Sequence, residues 1–111
     1  MWNDPVVVRR FEARSFLEGQ EHCREYFATD NMTFGTSTIQ PGQVGTVDPG
    51  HPGAHEVFFV AKGRVLCGLG NPAHYYELEE GDALLIPEGV PHSLANVGEV
   101  SALVVWAGAP T

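Results

Sequence analysis

Imidazole and carboxylate side chains bind divalent metals and move protons near neutral pH, and this chain carries five histidines and 14 acidic residues. His92 has the most ordered setting. Gly81 and Asp82 make a tight turn of the kind that uses glycine's freedom at positive φ. Residues 83–86 read as a short buried strand, and Pro87 with Gly89 reverses the chain. His92 then opens the next strand, so a stiff turn aims it at an interior, and Asn96 follows on the same face. His51, His55 and Glu56 gather around Pro52 and Gly53, ahead of a dense apolar run. A carboxylate enclosed with imidazoles among apolar side chains needs a cation or hydrogen-bond donors, because burying it alone is costly.

Short strands must position these groups. Residues 6–11, 23–28, 32–39, 56–61, 64–69, 74–78, 83–86, 92–97 and 101–106 are rich in β-branched and aromatic residues or alternate in polarity. Between them stand turn signals such as Thr29-Asp30-Asn31, Pro41-Gly42 and Gly70-Asn71-Pro72. About nine short strands at a spacing of roughly 8–12 residues predict an all-β sandwich or barrel. One helical turn or two is the most that residues 13–23 can offer, since Gly19 interrupts them. In residues 56–61 both faces are apolar, Phe58 and Val60 on one and Val57 and Phe59 on the other. One face fits a barrel interior, and the other a second sheet or a partner copy, so a homodimer is expected.

The chain of 111 residues is read as one domain, residues 1–111, long enough to build a core without staples. A formal net charge of −8 argues against nucleic acid and anionic membrane surfaces as partners. Cys23 and Cys67 form neither a CxxC motif nor a disulfide framework and read as small buried hydrophobes. Residues 1–11 lack the apolar run of a secretory leader, and no stretch reaches the ~18 apolar residues of a membrane span, so a cytoplasmic location is expected. Trp2 and Trp106 are expected to cover barrel ends or an interface.

The segment Gly81, Pro87, Gly89, His92 and Asn96 resembles the second conserved motif of the cupin superfamily, G-x5-P-x-G-x2-H-x3-N, at every fixed position. The first cupin motif, G-x5-H-x-H-x3-4-E-x6-G, is similar to residues 45–63, with Glu56 and Gly63 correctly separated. Its histidine pair is incomplete. Set from Glu56, the register gives His51 the second position and leaves Pro49 in the first; set from Gly45, it gives His51 the first and Gly53 the second. The resemblance covers residues 32–106, with residues 1–31 as N-terminal strands and interface, and implies a double-stranded β-helix, or jelly-roll, barrel of the small single-domain type. It also implies His51, Glu56 and His92 as metal ligands, a two-histidine, one-carboxylate set that leaves coordination positions open. His55 is a spare. As the neighbour of Glu56 it should face outward, unless Pro52-Gly53 bends the chain enough to bring it in as a replacement ligand.

The resemblance implies a divalent transition metal (Mn, Fe, Ni, Co, Cu or Zn) and a small polar molecule as substrate or ligand. Two functions of different class follow. The first is a metal-dependent enzyme of dioxygenase, isomerase, decarboxylase or lyase type. The second is a non-catalytic small-ligand or sugar-binding cupin with weakened metal affinity. No nucleophile motif or phosphate loop narrows the choice. Phe34, Phe58, Leu94 and Trp106 are the expected inward residues that shape the cavity.

Overall fold

The alternating pattern builds two antiparallel sheets within residues 3–111, the part of the chain that the computed structural model describes. These described residues contain nine strands: β1 (Arg14–Glu18), β2 (Glu21–Ala28), β3 (Thr33–Ile39), β4 (His55–Lys62), β5 (Val65–Leu69), β6 (His74–Leu78), β7 (Ala83–Ile86), β8 (His92–Asn96) and β9 (Ala102–Ala109). The larger sheet runs β1-β2-β3-β9-β4-β7 and the smaller β6-β5-β8. Residues 44–48 continue the smaller sheet, because Val44 bridges to Ala95 and Asp48 to His92. A Gly19–Gly45 bridge ties the same segment back to the larger sheet. The result is the jelly-roll barrel that the strand spacing and the motifs led us to expect.

Register decides what points inward. Phe58 lies opposite Trp106, which lies opposite Gly35, and Val60 lies opposite Val104, which lies opposite Ser37. All of these face the barrel interior, with Phe58 and Trp106 lining its open end and Val60, Val104 and Ser37 forming the next layer toward the packed end. Ile39, Val60, Val65, Cys67, Ile86, Leu94 and Val104 fill the packed end and are almost completely buried. Each large aliphatic buried there contributes about 1.5–3 kcal/mol. The open end lacks such filling. Gly35 lies beneath the Trp106 indole, where a β-carbon would come within 2.3 Å of Cζ2, so only glycine lets that ring lie flat along the wall.

Three expectations about the chain path are corrected. Residues 6–11 are not a strand: the chain runs outside both sheets and closes a single 3-10 turn at Arg10–Glu12. Val7 and Phe11 stay 70% and 87% exposed, and β-branched content alone does not make a strand where no neighbour offers a ladder. Residues 13–23 form no helix but most of the β1–β2 hairpin, with Gly19 at φ 63° supplying its turn. Phe34 faces outward and meets Tyr26 edge to face at 6.3 Å, because Gly35 holds the inward position on β3. Trp2 lies outside the described residues.

Candidate metal centre

Four side chains from three parts of the chain converge at the open end of the barrel. His92 begins β8, and its backbone exchanges two hydrogen bonds with Asp48, N–H to carbonyl at 2.9 Å and the reverse at 2.7 Å. That pairing puts the two residues directly opposite each other. Glu56 sits on the inner face of β4, opposite Gly108 and Ile86. His51 comes from the loop between them. This loop is held against the turn after β7, where Gly89 donates its N–H to the His51 carbonyl at 3.1 Å. Gly50, at φ 95°, approaches the Gly89–Val90 peptide so closely that a β-carbon would fall 2.7 Å from it. The two motif segments therefore dock through their glycines, and that docking sets the spacing of the site.

The donor atoms are close. His92 Nε2 is 3.0 Å from Glu56 Oε1, and His51 Nε2 is 3.6 Å from the same oxygen. Asp48 Oδ2 lies 3.5 Å from His51 Nε2 and 3.8 Å from His92 Nε2. Donors that share an ion at about 2.1 Å stand ~3.0 Å apart at right angles and ~3.4 Å apart at the tetrahedral angle. Asp48, His51 and His92 form a trio whose donor atoms all lie within 4.8 Å of one another, and Glu56 adjoins the two histidines of that trio.

Orientation supports the same reading. The Gly50 N–H donates to Asp48 Oδ1 at 2.8 Å, which leaves Oδ2 facing the histidines. Val90's carbonyl lies 3.0 Å from His92 Nδ1, so Nδ1 carries the proton and donates it, and the Nε2 lone pair is turned to the site. Glu56 Oε1 is fully buried and receives no hydrogen bond. Its nearest neighbour is His92 Nε2 at 3.0 Å, a charge partner for the carboxylate when that imidazole is protonated. An orphaned carboxylate oxygen beside two imidazole nitrogens fits a cation. Burial works to lower the His92 pKa, but the Glu56 carboxylate beside it, the Val90 carbonyl and the charges of Glu56 and Asp48 outweigh burial and raise it.

His51, Glu56 and His92, expected as ligands, are thus brought together. His55 is not. It is exposed on the other face of β4, because the strand stays regular there and Pro52-Gly53 does not bend it inward. The carboxylate of Asp48 occupies the ligand place for which the sequence reading found no histidine. The signal for it was an acidic residue three positions before His51, where the motif spaces its pair of ligands by two. Asn96 does not reach the cavity either. Its Nδ2 donates to the carbonyls of Ile39 and Val100, both at 2.8 Å, and its Oδ1 accepts from the Gly98 N–H at 2.8 Å. It staples the turn after β8 to the end of β3. Arg64, the first base after β4, pairs with Glu77 at 3.2 Å.

The donors open into a cavity of about 200 Å³, walled in part by Phe58, Leu94 and Trp106 as expected. Phe58 meets His92 edge to face at 5.6 Å and fixes the ring's tilt. Glu18, Glu21 and Glu25 complete much of the opposite wall, and nothing in the sequence reading singled them out.

A jelly-roll barrel with imidazole and carboxylate donors converging at its open end defines a cupin-type protein. A family model described as a cupin domain matches residues 35–108, and the chain belongs to this family. Among curated proteins it is similar to germin-like protein subfamily 3 member 2 of Arabidopsis thaliana, 34% identical over 80 residues, covering 69% of this chain and 35% of that protein. It is also similar to the auxin-binding protein ABP20 of Prunus persica, 42% identical over 56 residues, covering 48% of this chain and 26% of that protein. The chain thus spans only about a third of the length of such relatives. Among solved structures, iron(II) HppE superimposes with a TM-score of 0.82 at 16% identity, covering 97% of this chain and 62% of that one. KdgF from Halomonas sp. superimposes with a TM-score of 0.79 at 19% identity, covering 97% and 96%. These structural matches establish the fold.

Proposed function

We propose that Asp48, His51, Glu56 and His92 hold one divalent transition metal ion and that the chain is a metal-dependent enzyme acting on a small polar molecule. The observation that carries this reading is the buried Oε1 of Glu56, without a hydrogen-bond donor and 3.0 Å and 3.6 Å from the imidazole nitrogens of His92 and His51. A bound divalent ion supplies a Lewis acid that polarises a carbonyl or acidifies a water molecule. The residues of the chain do the rest. Val90 fixes the tautomer of His92, Gly50 orients Asp48, and Phe58 and Trp106 exclude bulk water from one side of the cavity. His51, 54% exposed at its side chain, is the donor nearest solvent and stands where an exchangeable ligand enters.

The iron(II) named with the HppE neighbour is in keeping with a metal site in such a barrel, and the names of the auxin-binding peach relatives favour a second reading, a non-catalytic binder of a small ligand. Elemental analysis of protein purified without chelator tests the first half of the proposal. About one Mn, Fe, Co, Ni, Cu or Zn per chain is expected, and metal-free protein that no divalent ion stabilises against heat would contradict it.

A second copy of the chain is the occupant we assign to the outer face of β4, β7 and β9. Val57 faces Leu85 across one strand pair and Ala107 across the other, and Phe59 likewise faces Ala83 and Val105. No charge interrupts this patch, and Val57, Phe59 and Leu85 are 40%, 43% and 54% exposed. A two-fold contact of this patch with itself brings no like charges together, which matters for a chain of net charge −8.

A further inference from the structure

The cavity that holds the four donors has a second, acidic end. Glu18 and Glu21 lie directly opposite each other across the β1–β2 hairpin, and both line the cavity. Like charges in that position destabilise a strand pair, so the hairpin keeps an arrangement that its own stability does not favour. Glu21 is only 8% exposed. Its Oε2 accepts hydrogen bonds from the Ser37 hydroxyl and, at 3.5 Å, from the Cys23 thiol. Its Oε1 rests over Gly45, where a β-carbon would stand 2.4 Å away, so the bare glycine makes room for the carboxylate. Glu21 is therefore built into place.

No arginine or lysine of the lining is free to offset these acids, and its two histidines, His51 and His92, sit at the donor end. Arg14 is the one arginine or lysine of the lining, and its Nε is 3.2 Å from Glu25 Oε1 while its guanidinium lies 4.3 Å over the Phe16 ring. Five carboxylates thus share the cavity wall with one arginine that is already paired. A divalent ion at the donor end would still leave the enclosure negative. Burial, reinforced by the charges of Asp48 and Glu56, raises the Glu18 pKa, as a crowded acidic enclosure requires. Such a cavity gathers cations and repels anions.

We infer that the natural ligand of this cavity carries an ammonium or similar cationic group, seated against Glu18 and Glu21, with its other end directed at the donor cluster. The first half of this assignment stands on the acidic wall alone, and the second half rests on the proposed metal site. Carboxylate and phosphate substrates are excluded by the same charges. Glu18 and Glu21 are then the residues that set specificity.

Three probes of equal chain length test this by calorimetry on the whole protein: butane-1,4-diamine, butane-1,4-diol and succinate. In metal-free protein the diamine should bind at least about 10-fold more tightly than the diol, the scale of one hydrogen bond to a charged group. Succinate should bind more weakly than either. Glu18→Gln, an isosteric change at a partly buried position, should lose about 10-fold in diamine affinity and nothing in diol affinity. Glu21→Gln, which can still accept from Ser37, should act in the same direction. Three results would overturn the assignment: no diamine binding to folded wild-type protein, succinate binding as tightly as the diamine, or a diamine affinity that Glu18→Gln leaves unchanged. Thermal stabilisation by Mn2+ alone, measured alongside, separates the two readings. Its absence counts against the metal site and leaves a measured diamine preference standing; its presence without a diamine preference overturns only the ligand assignment.

Discussion

Replacing Glu56 with glutamine keeps the shape of the side chain and removes the charge from the oxygen that stands 3.0 Å and 3.6 Å from the two imidazole nitrogens. With a divalent ion at 100 times its dissociation constant, the wild-type chain gains about 2.7 kcal/mol from binding. Unfolding entropy is about 2.1 cal/mol/K per residue, so for 111 residues the gain corresponds to a rise in Tm of about 12 °C. Loss of a charged donor at a metal weakens binding by about 100-fold or more. At the same metal concentration Glu56→Gln should then gain only about 0.4 kcal/mol, a rise of about 2 °C. In chelator the two proteins should differ by about 1 kcal/mol or less, because the lost attraction to His92 is offset by the relief of a buried carboxylate. Differential scanning calorimetry in EDTA and in excess Mn2+ or Zn2+ reads both numbers. The same gap between wild type and variant in both conditions would refute the assignment of Glu56 to the ion.

Metal affinity should rise with pH up to the raised pKa of His92 and then level off, since the ion displaces the proton that this imidazole holds beyond its ordinary range. In metal-free protein the sign reverses. A raised folded-state pKa contributes stability that is complete below the ordinary value of 6.5 and is lost as pH climbs through the folded value, and pH-dependent denaturation checks both slopes. Asn96→Ala removes three hydrogen bonds from a buried turn and should cost about 2–4 kcal/mol by urea denaturation; a cost below ~1 kcal/mol would contradict its role as a staple. Burial pushes the thiols of Cys23 and Cys67 up to about 12, so both should resist alkylation at pH 8 in native protein and react once it unfolds, as mass spectrometry would show. Light scattering should give about twice the 12.0 kDa of one chain, and Phe59→Lys should return it to a monomer.

Much of the barrel was legible because period-two alternation and turn residues report local physics. Eight of the nine expected strand runs have a counterpart among the observed strands, within a few residues at their ends. The failures lie where tertiary pairing decides. Residues 6–11 have strand-like composition and no partner, while residues 14–18 have a partner and an unremarkable composition. Within the site, His92 could be read because a proline-glycine turn fixes its direction, and Glu56 because strand alternation fixes its face. Asp48 could not, since its place depends on the backbone pairing with His92 that no local pattern encodes. The acidic wall was hidden for the same reason. Glu18 and Glu21 lie in a stretch that reads as a weak helix, and only the hairpin register puts both on the inner face.

In the proposed site four side chains meet around one divalent ion. Anomalous diffraction from crystals grown with Zn2+ tests it most directly. One strong peak is expected at about 2.0–2.2 Å from Nε2 of His51 and His92 and from a carboxylate oxygen of Asp48 and of Glu56. A peak bound instead by Glu18, Glu21 and Cys23, or no peak inside the barrel, would contradict it.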